Sequence, residues 1–193
     1  LTDLSSHPED VGLTRARELF NLIVGKKLTE MVRVLDMQMF RIGETYQRTA
    51  EYGRQKGEVI DVSEFSIHVQ CPWRVSHGTR IVLGQHDRFF PVPGSDGSVN
   101  IIEPEENTPR WLERQVCELF RAQPDGLSVL GVAISELGDL EIRFEGDYLL
   151  SIFPAASIPG TECENWRLVS EASHLVAYTA RYELSWRRAS KMR

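Results

Sequence analysis

Cysteine is scarce in this chain and basic residues are in the minority. The three cysteines, Cys71, Cys117 and Cys163, are far apart and form no C-x-x-C pair. That argues against a disulfide scaffold and fits a reducing, cytoplasmic compartment. Lys and Arg number 22 against 28 Asp and Glu, a formal charge of −6. Nucleic-acid binding needs a concentrated positive surface, so no nucleic-acid partner is expected. The short basic run at 186–193 reads as a solvated terminus. No apolar stretch approaches the roughly 18 residues of a spanning helix. Even Leu127–Ile134 contains Ser128 and Gly131, and no membrane partner is expected. A G-x-S-x-G elbow, a Walker loop and a dinucleotide fingerprint are all missing, and no cofactor is expected.

What remains is an ordinary globular composition. Hydrophobic residues make up 41% and charged residues 26% of 193. That length carries a full hydrophobic core as a single domain over 1–193.

The segment after Leu13 has a helical apolar face, with Leu19, Phe20 and Ile23 on or beside it, and Gly25 as its stop. Residues 28–35 and 37–42 have strand character. Residues 44–58 are polar and read as a long loop. In 59–71, Phe65, Ile67, Val69 and Cys71 share one face, and Ser66, His68 and Gln70 share the other. Pro72 ends that pairing. Residues 73–75 and 80–83 follow as strands around a turn at His77-Gly78, and 89–107 reads as a connecting loop. A core-packing helix is expected over 108–123, capped by Thr108, with Pro109 at its first position. Its stripe is Leu112, Val116, Leu119 and Phe120. Residues 127–137, 140–145 and 148–153 are strands joined by Gly138-Asp139 and Gly146-Asp147, read as two-residue hairpin turns. Residues 165–170 and 175–184 complete the sheet. The fold class is mainly β with helices (α+β).

The two β regions echo one another. Asp36…Gly43 and Asp139…Gly146 have equal spacing, and Trp73-Arg74 matches Trp166-Arg167, each followed by a short apolar strand. These identities predict a pseudo-duplication of two antiparallel units, 26–90 and 127–184, with the long loop extra in the first copy. Both tryptophans should anchor the core. Both arginines should lie on the opposite strand faces, and each should find a backbone carbonyl or the carboxylate of an Asp or Glu, Asp36 and Asp139 being candidates.

The strings Ile67-His68-Val69-Gln70-Cys71-Pro72-Trp73-Arg74, Arg80-Ile81-Val82-Leu83-Gly84 and Asn165-Trp166-Arg167-Leu168, with Asp36-Met37-Gln38-Met39 upstream, carry a family resemblance. The chain resembles a family of uncharacterised bacterial proteins, a domain of unknown function marked by H-x-Q-C-x-W-R. The resemblance implies bacterial origin and a shared fold, and it transfers no chemistry.

The densest reactive group is His68, Cys71, His77, His86 and Asp87. Strand alternation sets His68 and Cys71 on opposite faces, and no local ligand pair is present, so no metal is expected. Cys71 lies among apolar neighbours and reads as a buried, inert thiol. The binding candidates are His68, Arg74, Arg167 and Asp36, with an outward Arg available to an anionic group; no catalytic residue is assigned. The expectation is a non-enzymatic binding or interaction module of a bacterial cytosol with a protein partner. Its narrower form is an inhibitor or immunity-type protein, whose acidity would mask a basic target. The alternative is a small hydrolase or ligand-binding enzyme using the His68–Arg74 face. Convergence of His68, Arg74 and a carboxylate in a concave site would favour the enzyme. A flat apolar patch would favour a protein partner.

Overall fold

The structure is a computed structural model and describes residues 9–10, 12–50, 55–90, 92, 110–155, 164–170, 173–178 and 181–186. A two-residue strand β1 (Glu9–Asp10) precedes helix α1 (Leu13–Asn21) and a meander of β2 (Lys27–Val34), β3 (Met37–Thr49) and β4 (Val59–Val69). A hairpin of β5 (Trp73–His77) and β6 (Arg80–Gly84) follows, then a 3-10 turn, Gln85–Phe89. Helix α2 (Trp111–Ala122) leads a second meander of β7 (Leu127–Ile134), β8 (Leu140–Phe144) and β9 (Tyr148–Ile152). Strands β10 (Glu164–Ser170), β11 (Ser173–Tyr178) and β12 (Arg181–Trp186) close the chain. The protein is therefore mainly β with two helices, and its described strand pairs are all antiparallel.

The strands form one continuous ladder in the order β1-β12-β11-β10-β4-β3-β2-β7-β8-β9-β5-β6. Strands β2 and β7 pair only at Lys27 with Ser128 and Leu28 with Leu127. This short join divides a first sheet, β1 to β2 in that order, from a second sheet, β7 to β6. From β11 to β6 the order is a palindrome. Each half is a helix, a three-stranded meander and a hairpin, and each hairpin joins the other half's meander: β5 pairs with β9, and β10 with β4. The helix heads each unit rather than merely linking the two. The registers agree strand by strand. Trp73 lies opposite Ile152 and Trp166 opposite Val69. Ile152 in turn lies opposite Leu140, and Val69 opposite Gln38. Even the bulge in β2 after Leu28 recurs in β7 after Val129. The sequence carries one further echo, Glu18-Leu19-Phe20 and Glu118-Leu119-Phe120, in the last turns of α1 and α2.

Several expectations need correction. These registers equate Gln38 with Leu140, so the Asp36…Gly43 and Asp139…Gly146 match is one residue out of step. Aligning it would set buried Phe40 against exposed Arg143, because a one-residue slip reverses every strand face. The extra segment in the first copy is a loop only in part. Strand β3 continues to Thr49 and pairs with Val59–Ser63 in register, from Thr45 opposite Ser63 to Thr49 opposite Val59. Its Thr and Tyr residues suit a pleated ribbon, and its polarity reflects exposure rather than lack of order. The β7–β8 connection is five residues, closed by Ser135 N–H to the Asp139 carbonyl at 3.0 Å. Glu145–Asp147 is a three-residue turn rather than a two-residue one. Helix α2 starts at Trp111 behind Arg110; Thr108, Pro109 and most of 89–107 lie outside the described residues. Residues 175–184 span two strands, β11 and β12.

One core runs between the sheets and under both helices. Phe20 meets Trp166 edge-on with ring centroids 5.2 Å apart, and Phe40 meets Trp73 edge-on at 5.3 Å. On α2, Leu112 and Leu119 are buried, while Val116 and Phe120 pack against the core half-buried. Phe20 is 0% exposed, so Phe20→Ala should cost about 3–5 kcal/mol in urea unfolding. Its sequence counterpart Phe120→Ala should cost clearly less, and equal losses would contradict this placement.

Each unit passes from helix to first strand through a glycine in the left-handed region, Gly25 at φ +83° and Gly126 at φ +79°. An added Cβ at Gly25 meets open space, but at Gly126 it would collide with the Leu28 carbonyl oxygen. Gly25→Ala should therefore cost only the left-handed strain, about 1–2 kcal/mol. Gly126→Ala should cost distinctly more, because β2 must move from β7, and thermal unfolding of the two variants separates these cases.

Candidate functional site

The two sequence-predicted tryptophans are both buried, and each sends its following arginine to the opposite side of its strand. The Trp166 indole N–H donates to the Gly138 carbonyl at 2.8 Å, tying β10 to the β7–β8 turn of the facing sheet. The arginines then part company. Arg167 lies opposite His68 on β4. Its Nε faces His68 Nδ1 at 3.2 Å and Glu164 Oε1 at 3.2 Å, and its Nη2 approaches Met37 Sδ at 3.8 Å. Gln70 Nε2 also donates to Glu164 Oε1, at 3.3 Å. Arg74 lies in the other sheet, opposite Ser151, with its guanidinium 5.0 Å from the centre of the Phe153 ring.

Of the four binding candidates, the fold unites His68 and Arg167 and separates the rest. Arg74 does not join His68. Asp36 sits at the β2–β3 turn, 95% exposed at its side chain, 3.5 Å from Arg88. The carboxylate that meets Arg167 is Glu164, three residues away on the same strand, rather than Asp36 or Asp139. Asp139 is occupied with the Ser135 hydroxyl at 3.1 Å. Strand topology explains the split: the chain changes sheet between His68 and Arg74, so their closeness in sequence places them on different surfaces.

The His68 face widens into a shallow groove of about 150 Å³ on β3, β4 and β10, lined by Arg41, Tyr46, Arg48, Asp61, Ser66 and His68 among others. Sequence reading did not single out Tyr46 and Arg48, because they fall in the segment taken as a loop. The β3 bulge between Ile42 and Thr45 re-phases the strand and brings both side chains into the groove. The β-branched and aromatic residues Thr45, Tyr46 and Thr49 are the signal that could have revealed the ribbon. Arg41 is held by Glu30 at 2.7 Å. Arg48 Nε and the Ser66 hydroxyl are both buried and have no hydrogen-bond partner among the described residues.

Among the described residues no group of three His, Cys, Asp or Glu side chains is arranged to hold a metal ion. Burial raises the Cys71 thiol from 9.0 to about 12, opposed by backbone hydrogen bonds from its own and the Phe153 amide. This thiol is neutral throughout the physiological range. No helix among the described residues is long and apolar enough to cross a membrane. No family model matches the chain, and no curated protein or solved structure matches it significantly.

The raised thiol pKa has two measurable consequences. Its contribution to stability is complete below pH 9 and is lost progressively between pH 9 and about 12, since only the unfolded thiol ionises in that window. Cys71→Ala should flatten that part of the pH–stability curve. In a Cys163→Ser background at pH 8, a disulfide reagent should label exposed Cys117 rapidly and Cys71 only on unfolding. Fast labelling at two sites would show that the Cys71 pocket opens readily.

Proposed function

We propose that this chain is a non-enzymatic binding module whose working surface is the outer face of β3, β4 and β10. One observation carries the reading: the side chains with most chemical capacity are tied to one another rather than poised. His68 Nδ1 is engaged by Arg167, Arg167 is engaged by Glu164, and Glu164 is engaged by Gln70. Among the described residues, the thiol just beyond β4, Cys71, is neutral and buried. A nucleophile with an adjacent base, which a hydrolase of this kind would need, does not arise from that set. A fixed polar network on an otherwise solvent-facing sheet suits recognition, because little side-chain freedom remains to be lost on binding.

The net charge of −6 supports the narrower reading, an inhibitor or immunity-type protein with a basic protein partner. A bacterial cytosol is the proposed setting, from the H-x-Q-C-x-W-R resemblance and the sparse, unpaired cysteines. The purified protein should hydrolyse p-nitrophenyl acetate and p-nitrophenyl phosphate no faster than buffer, with His68→Ala indistinguishable from wild type. A rate above buffer that His68→Ala abolishes would replace this reading with the hydrolase.

A further inference from the structure

The groove holds two hydrogen-bond donors that the fold has buried and left without partners. Ser66 is 8% exposed and belongs to the groove lining, and its hydroxyl is buried with no partner among the described residues. Arg48 projects from the β3 extension into the same groove, and its Nε is buried without an acceptor. A buried donor with no acceptor is costly, and such groups in native proteins usually mark a place filled by something else. Neighbouring Arg41 adds cationic character, although Glu30 already engages it. Asp61 is the opposing charge in the lining. It is exposed, so water screens it more effectively than it screens a group seated beside Ser66.

The equivalent surface on the second sheet serves as an internal comparison. There a second concavity is lined by Glu141, Arg143 and Leu149 among others. The ladder registers make these the counterparts of Met39, Arg41 and Ser66. The second copy therefore keeps the arginine but has leucine where the first has its orphan serine. It also lacks any counterpart of Arg48, because β8 stops at Phe144. Both unpartnered donors are thus peculiar to the first copy, one by substitution and one by strand extension.

We propose that the Arg48–Ser66 groove is a binding site for a phosphate monoester of a small molecule. A guanidinium fork and a hydroxyl in the lining of one groove suit an oxyanion. Arg41 is a second guanidinium in the lining, which suits the double negative charge of a phosphate monoester better than the single charge of a carboxylate. The volume of about 150 Å³ admits the phosphoryl group and little more, well below the roughly 300 Å³ where enclosing drug-sized sites begin. The rest of the ligand would remain outside. This inference rests on the binding-module reading and gives that module's groove a ligand class.

A phosphorus-31 NMR titration with glycerol 3-phosphate, inorganic phosphate and O-phosphoserine tests it at about 0.15 M salt, with acetate as the competing carboxylate. Glycerol 3-phosphate should shift or broaden on adding protein, acetate should not displace it, and Arg48→Met should weaken binding about tenfold or more. Equal binding of inorganic phosphate would assign the site to the free ion and overturn the monoester assignment; preference for O-phosphoserine over glycerol 3-phosphate would support it with an amino-acid ester as ligand. Ser66→Ala keeps the test falsifiable if Arg48→Met misfolds. It should raise the urea midpoint of the unliganded protein, because an unsatisfied hydroxyl is gone, while also weakening the phosphate ester. No perturbation with wild-type protein, or binding unchanged in both variants, would overturn the site and leave the binding-module reading standing. Release of inorganic phosphate from the ester would uphold the site and overturn the non-enzymatic reading.

Discussion

Where the chain leaves one sheet for the other, its backbone groups lose their ladder partners, and the fold must supply replacements. It does so twice and in the same way. After β4, the amides of Gln70 and Cys71 donate to the Asn165 carbonyl at 2.9 and 3.3 Å. After β9, the Phe153 amide donates to the Pro72 carbonyl at 2.8 Å. Asn165 and Pro72 each precede one of the two core tryptophans. Each crossing thus satisfies the other, and the tryptophan that follows fills the space between the sheets. Neither half can complete its own sheet without the hairpin donated by its counterpart.

That exchange explains why the core is single although the chain is built from two similar units. Phe20 of α1 packs on Trp166, which joins opposite ends of the chain, and Trp73 packs on Phe40, which ties the donated hairpin back to β3 of its own unit. It also explains the two surfaces. Apart from Gln38, which stands where Leu140 stands in the other copy, the inward positions of the equivalent strands remain apolar in both copies, because packing constrains them. The outward positions carry no such constraint and have diverged. His68 in one copy stands where Ser151 stands in the other, and Ser66 where Leu149 stands.

Function, on this view, follows from asymmetry added to a symmetric frame. The β3–β4 ribbon lengthens one sheet and carries Tyr46 and Arg48 over its outer face. The cost is visible in Arg48 Nε and the Ser66 hydroxyl, two of the four buried polar atoms without a partner among the described residues. The same groups would be unremarkable on a fully solvated surface, where water would satisfy them.

Composition and periodicity alone determined a good deal. The strand faces of β4 and β8, the glycine stops after each helix, the burial of Trp73 and Trp166 and the mainly antiparallel architecture all follow from local patterning. They are legible because side-chain alternation and positive φ are properties of neighbouring residues. The Trp-Arg repeat was readable too, since it is an identity in the chain itself. Tertiary structure decided the remainder. Which hairpin joins which meander depends on long-range pairing, for which Pro72 announced a break but no destination. The association of His68 with Arg167 and Glu164, and its separation from Arg74, depend on that exchange. The phase of Arg48 depends on a bulge that shifts every later side chain by one, and no local pattern around Gly43 declares on which strand face the chain will resume.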